Sequence, residues 1–328
     1  MPNLTHPERP VIGVAGLSTR AWLHVLAHPG FNLQMAYAGI AVLLIATAGC
    51  VLTSVHVPDA GTLALGFGAI AVVTLPVALF LQEKKKFYLC ESLLTIVWAF
   101  FFTLMLGYPV TVAARLGMNI PLQDLRFEQW DRWLGIDVLS IQAWSFTHWL
   151  GEAVNTSYLM LFPFMQIAVL LPIFMGKLKC AQRFVAANLV AFSIGLPIFA
   201  LLPGVAPWFI EHYTNAPGAE LCKQVVLLAI RQPGPYLYRY PAGAICLPSF
   251  HAIWAILSVQ ALWGFRYLRI PAFLFGTVIV FSTVTTGNHY VVDVIAGIVI
   301  ALASMWIADR ASRSFAEHQA PSIRFWRA

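Results

Sequence analysis

Charge is the scarcest property of this sequence. Asp, Glu, Lys and Arg make up only 10% of its 328 residues, whereas a soluble domain carries about 25%, so an ordinary soluble fold is excluded. Cysteine is also sparse, and five residues in a chain of this length do not make a disulfide-stapled secreted scaffold. Collagen-like, disordered and coiled-coil patterns are missing as well. What stands in place of charge is apolar surface. A hydrophobic content of 59% and a mean hydropathy of +0.75 describe an all-α polytopic membrane protein. The net charge of +6 does not imply a nucleic-acid partner, because basic residues of membrane proteins gather in cytoplasmic loops.

A helix needs roughly 20 mainly apolar residues to cross a hydrocarbon core of about 30 Å. Eight stretches qualify: residues 33–53, 61–81, 88–110, 155–175, 184–206, 247–265, 270–286 and 290–308. Lys84, Lys85 and Lys86 follow the second, Lys177, Lys179 and Arg183 the fourth, and Arg266 and Arg269 the sixth. Arg310, Arg313, Arg324 and Arg327 follow the eighth. Positive residues resist translocation, so both termini are expected in the cytoplasm. The chain then divides into a cytoplasmic tail over 1–30, two N-terminal helices within 31–87, a six-helix core over 88–308 and a basic cytoplasmic tail over 309–328. The leader, with Arg9, Arg20 and several prolines, reads as a retained tail and not as a cleaved signal peptide.

Two connections on the opposite, extracytoplasmic side are long. Segment 111–154 interleaves Trp130, Trp133, Trp144 and Trp149 with polar residues, as amphipathic helices at the headgroup level do, or as an aromatic belt that only anchors the fold. Segment 207–246 is rich in Pro, Gly and Tyr and predicts an ordered loop or lid, with Val225 to Ile230 dipping into the interface. Cys222 and Cys246 flank this loop and would pair in an oxidising compartment, while Cys50, Cys90 and Cys180 read as buried small residues or a cytoplasmic thiol. No internal repeat is visible, which argues against a transporter.

Ionisable groups at or within spans are costly and mark function. His251 stands at the outer start of the sixth span, and His289 and Asp293 at the outer start of the eighth. The three share one membrane face in a topology derived from other residues. His289-x3-Asp293 spacing puts both side chains on one helical face, where the carboxylate can accept an imidazole N–H, fix its tautomer and leave the other nitrogen nucleophilic. His251 is suited to protonate a leaving oxygen. Ser249 and the first amides of the sixth span would face an anion at a helix N-terminus, with Pro248 marking the start. Other readings stay open at this level. A lone interfacial histidine commonly bonds headgroups, and His-x3-Asp is a common incidental pair. That pair is also half a metal site, and two histidines with one carboxylate can bind zinc or iron, though no third strong ligand stands at helical spacing. A transporter or lipid-binding protein would use the same groups as a proton relay.

Pro248-Ser249-Phe250-His251 and His289-Tyr290-Val291-Val292-Asp293 resemble the second and third motifs of the type 2 phosphatidic acid phosphatase superfamily. The resemblance implies a six-helix core in which His289 attacks phosphorus to form a phosphohistidine, Asp293 orients it and His251 is the proton donor, with no metal or other cofactor. Three departures narrow it. Phe250 replaces the usual glycine, Thr283 stands where an arginine precedes the third motif, and Lys223, Arg231 and Pro233 only echo the first motif. A phosphomonoester dianion needs several cations, so these departures point away from simple phosphatidate hydrolysis. The branch of inositol phosphorylceramide synthases is more similar, with Asp131-Arg132-Trp133-Leu134-Gly135 and Ala206-Pro207-Trp208-Phe209 resembling its other elements. That branch implies transfer of a phospho-headgroup from a phospholipid donor to a lipid alcohol or to water. Arg231, Arg239 and Lys223 are then the candidate phosphate cations, with Ser249 as a further substrate-binding residue.

Overall fold

The computed structural model describes residues 30–57, 74, 76–78, 80–81, 84, 86–210, 226–239 and 244–325, with side chains up to residue 311 in the last helix. The expected span 61–81 and the tail 1–30 lie almost wholly outside the described residues. The described residues are mostly helical, joined by turns and irregular segments, with a two-residue parallel bridge between β1 (Val55–His56) and β2 (Tyr236–Leu237). It is an all-α polytopic membrane protein. Among the described residues four helices are long and apolar enough to cross a bilayer: Phe31–Leu52, Phe87–Leu116, Leu178–Leu201 and Val291–Ala311. A fifth arises if a bent pair counts as one span.

Sequence chemistry accounts for where these elements begin and end. Helix α1 (Phe31–Leu52) is followed by α2 (Phe87–Met105), which runs into α3 (Gly107–Leu116). The connection on the outer side folds into α4 (Asp124–Trp133) and α5 (Val138–Thr147). The expected span 155–175 is instead α6 (Trp149–Leu159) and α7 (Leu161–Phe174), bent by 49°. Pro163 lacks the N–H that would bond back to Leu159, which is a local cause of that break. Helix α8 (Leu178–Leu201) starts and ends earlier than the expected 184–206. It stops because Leu202 precedes Pro203, which disfavours helical backbone. After the short α9 (Pro207–Ile210) come α10 (Phe250–Leu262), α11 (Arg269–Thr285) and α12 (Val291–Phe325). At 13 residues, α10 is only about 20 Å long, shorter than the span expected at 247–265, whereas α11, with 17 residues, has the length of the span expected at 270–286 and starts one residue earlier.

Helix α10 is central, packed by α7, α8, α11 and α12. Its Phe250, Ile253 and Leu257 join Phe184 and Phe192 of α8 and Ile300 of α12 in the largest buried cluster. The Phe250 ring stacks on Phe192 at 4.2 Å and occupies space that only Gly195 leaves open, since a Cβ there would stand 2.8 Å from the ring. The bulky residue of the Pro-Ser-x-His block is therefore a packing element between α8 and α10.

Helix α4 fixes the outer end of the bundle. Asp124, Phe127 and Asp131 are buried at a spacing that shares one face. Asp131 accepts the N–H groups of Val291 and Val292 at 2.8 and 2.9 Å, satisfying two of the donors that the first turn of α12 leaves open. Asp124 accepts from the Val205 and Ala206 amides and from the Tyr290 hydroxyl. Trp133 and Trp149, by contrast, are 77% and 81% exposed, whereas Trp130 packs against Phe127 on the inward side. The turn 226–230 does not face outward. Leu227 and Ile230 are buried against Val205, Ala206 and Trp208, and the buried Arg115 guanidinium holds its end through the carbonyls of Ile230, Gln232 and Gly234.

Removing Asp131 orphans two buried N–H groups. Asp131→Ala should lower the stability of the detergent-solubilised protein by about 1–2 kcal/mol, and an unchanged thermal midpoint would count against the cap. Burial pushes both carboxyls of α4 up to about 6 from 3.8. The folded state therefore binds more protons than the unfolded state between these values, and stability falls as pH rises through that window. The thermal midpoint of wild type relative to Asp124→Asn should drop from pH 4 to pH 6 and level off above pH 7. A difference independent of pH would contradict this.

Candidate functional site

His289 sits two residues before α12, after a turn that needs glycine. Gly287 has φ +72°, and a Cβ there would lie 2.2 Å from the Gln142 amide of α5. The His289 N–H donates to the Thr283 carbonyl at 3.1 Å. Thr283, which stands where an arginine was the expected motif residue, is buried and closes this turn through its backbone.

The imidazole is only 3% exposed. Its Nδ1 lies 2.9 Å from the Cys246 carbonyl oxygen and 3.5 Å from Asp293 Oδ2. A carbonyl oxygen only accepts, so Nδ1 carries the proton and Nε2 holds a lone pair. The short bond is thus to Cys246, and Asp293 is the more distant neighbour of the pair expected from the sequence. The reason is that Asp293 Oδ2 is already engaged: it accepts the Tyr290 N–H at 2.9 Å and the Cys246 thiol at 3.0 Å. Cys246 is a free thiol, and Cys222, its expected disulfide partner, lies outside the described residues.

His251 is the second residue of α10, half-buried, with its ring 6.1 Å from that of His289. Tyr158 of α6 stacks on it at 4.0 Å, with the phenol oxygen 3.4 Å from Nδ1. The two blocks are also joined through the backbone, since Ser249 N–H donates to the Asp293 carbonyl at 3.0 Å. Gly297 permits that approach, because a Cβ there would meet the Ser249 carbonyl at 2.7 Å.

A cavity of about 20 Å³ lies against both histidines, with Tyr158, Trp208 and Asn288 as its other polar walls, room for about one water. The buried Trp208 indole N–H meets no acceptor among the described residues. A larger apolar cavity of about 190 Å³ adjoins His251, walled by Leu106, Val110, Phe162, Met165, Phe192 and Trp254.

The expected substrate contacts are not assembled here. Ser249 is fully buried and its hydroxyl accepts the Ala252 N–H as the cap of α10, which takes it out of the cavity wall. Arg231 donates to the carbonyls of Gly117, Met118 and Ile120, because the end of α3 offers carbonyls without helical partners. Arg239 is exposed and does not line the cavity, and Lys223 lies outside the described residues. No cation lines the cavity among the described residues.

Sequence reasoning missed several residues that the fold brings here. Asp124 and Asp131 were readable as one face of a helix, but carboxylates at such spacing ordinarily signal a solvated face. Tyr158 and Asn288 carried no signal. Cys246 supplies the third donor that helical spacing did not, since it approaches His289 and Asp293 from another segment, with donor atoms of the three within 4.8 Å of one another.

Residues 125–307, more than half of the chain, match the family model described as PAP2 superfamily. The matched span contains both histidines, Asp293, Asp131 and Trp208. No curated protein and no solved structure matches the chain. The chain thus belongs to the PAP2 superfamily, a family of phosphatase- and phosphotransferase-type lipid enzymes.

Proposed function

We propose that the protein is a lipid phosphotransferase or phosphatase that works through a phosphohistidine. His289 Nε2 attacks the phosphorus of a phospholipid ester, and His251 protonates the departing lipid alcohol. A lipid alcohol or water then attacks the phosphohistidine while His251 takes its proton. The observation that carries this reading is the pair of imidazoles 6.1 Å apart across one cavity, with Nδ1 of His289 held by a carbonyl. That separation accommodates one phosphorus between an attacking nitrogen and a protonated leaving oxygen.

The lack of cations lining the cavity among the described residues supports a phosphodiester substrate, which carries one negative charge, over a phosphomonoester dianion. That in turn favours headgroup transfer of the inositol phosphorylceramide synthase kind over phosphatidate hydrolysis. The apolar cavity beside His251 suits the alkyl part of the departing alcohol. An extracytoplasmic site is supported by the opposite ends of the helices, where Lys177 bonds the Gly264 carbonyl and Arg183 pairs with Asp309 at 2.6 Å, a basic end of the kind that stays cytoplasmic.

Purified protein incubated with phospholipids labelled at phosphorus, with and without a lipid alcohol, should retain acid-labile label and release the exchanged product. His289→Ala should lose turnover by at least about 1,000-fold and lose the label while remaining monodisperse. Substantial residual turnover in that variant would reject the nucleophile. Gradient-driven lipid movement without label would favour a proton relay instead. Trp208 is expected to donate its indole N–H to a phosphoryl oxygen. Trp208→Phe should then reduce kcat/KM by roughly tenfold or more, about 1.5–3 kcal/mol for a hydrogen bond to a charged group. Unaltered kinetics would remove it from the site.

A further inference from the structure

We infer that Cys246, His289 and Asp293 form a binding site for a thiophilic divalent cation, Zn²⁺ or Cd²⁺, whose occupation switches the enzyme off. Binding stands on the geometry alone, and the effect on turnover rests on the reading of His289 as the nucleophile. Cys246 Sγ is 3.0 Å and His289 Nδ1 3.5 Å from Asp293 Oδ2. Such separations are close to those between ligands that stand about 2.0–2.3 Å from a tetrahedral zinc. All three residues are buried. The second carboxylate oxygen, Asp293 Oδ1, is buried and finds no hydrogen-bond partner among the described residues, a costly state that a cation relieves. Oδ2 can offer the ion the lone pair that the thiol proton vacates while it keeps the Tyr290 N–H, and the charge of the ion also offsets the unpartnered Oδ1 of the same carboxylate. One thiolate, one imidazole and one carboxylate select Zn²⁺ or Cd²⁺ over Mg²⁺ and Ca²⁺, which take oxygen ligands. Of the three residues, His289 lines the cavity.

The proton balance explains the inhibition. Binding releases the Cys246 thiol proton to solvent as Sγ becomes a thiolate bound to the metal. Nδ1 gives up its proton to bind the ion, and the neutral imidazole then carries its proton on Nε2. The lone pair that would attack phosphorus is gone. The bond from Nδ1 to the Cys246 carbonyl is lost with it, so the ring is held by the metal in a silent tautomer.

The test is Cd²⁺ titration of the purified full-length protein in thiol-free detergent buffer, followed by thiolate-to-metal charge-transfer absorption and elemental analysis after desalting. Wild type should gain a thiolate band that Cys246→Ser lacks, with Cd²⁺ affinity in the variant reduced by roughly tenfold or more. The difference between the two isolates this thiol from the other four cysteines. Cys246→Ala replaces the serine variant if the latter is not monodisperse. In parallel, Zn²⁺ should stop turnover in wild type, and each variant, normalised to its own metal-free rate, should need roughly tenfold more. Mg²⁺ should do neither. Identical bands in wild type and variant, or no bound Cd²⁺, would overturn the site. Full occupancy with unaltered turnover would overturn the switch. Should no lipid be turned over at all, the enzymatic reading fails, and the absorption still decides the metal site.

Discussion

The outer end of α12 is the constraint on which the site depends. A helix that begins in the interior exposes N–H groups that no helical carbonyl satisfies, and leaving them unpaired costs about 1–3 kcal/mol each. Here Asp131 takes two and Asp293 takes a third. Because His289 adjoins Tyr290, whose N–H Asp293 holds at that helix start, its position follows from the cap. The carboxylates that hold the helix start also hold the histidine, and α4 exists at this depth because Asp131 has those donors to meet.

Three kinds of polar group divide the work at this end of the bundle. Backbone carbonyls do the orienting: Cys246 O takes the Nδ1 proton, and Thr283 O takes the backbone N–H. Carboxylates hold backbone, and guanidinium groups hold carbonyls, with Arg115 and Arg231 spent on the ends of helical segments. A cation used to cap a helix end in a low-dielectric interior is not free to meet a phosphate. By that allocation Arg115 and Arg231 carry structure.

Much of this protein was legible in the order of its residues. The scarcity of charge and the long apolar runs establish membrane-embedded helices, because a lipid core admits few alternatives for backbone polar groups. Pro163 and Pro203 also bear on a break and an end of helices, through their missing N–H and the restriction on the residue before them, but the expected spans 155–175 and 184–206 ran through both. His251, His289 and Asp293 stand out because ionisable groups are costly in such surroundings. What periodicity did not show is the length of α10, since Ser249 caps it only after Pro248, and the bend between α6 and α7, whose two halves are both apolar.

Sequence by itself determined the helical class and the two histidine blocks, which follow from local composition and spacing, and the family, which rests on the match of residues 125–307 to the family model. Tertiary structure alone decided which partner each polar group takes. Cys246 is 43 residues from His289 and Asp131 is 160 residues from Val291, separations over which no local pattern operates. A buried donor or acceptor pairs with whatever the packed helices bring within about 3 Å, and that choice is made by the folded bundle as a whole.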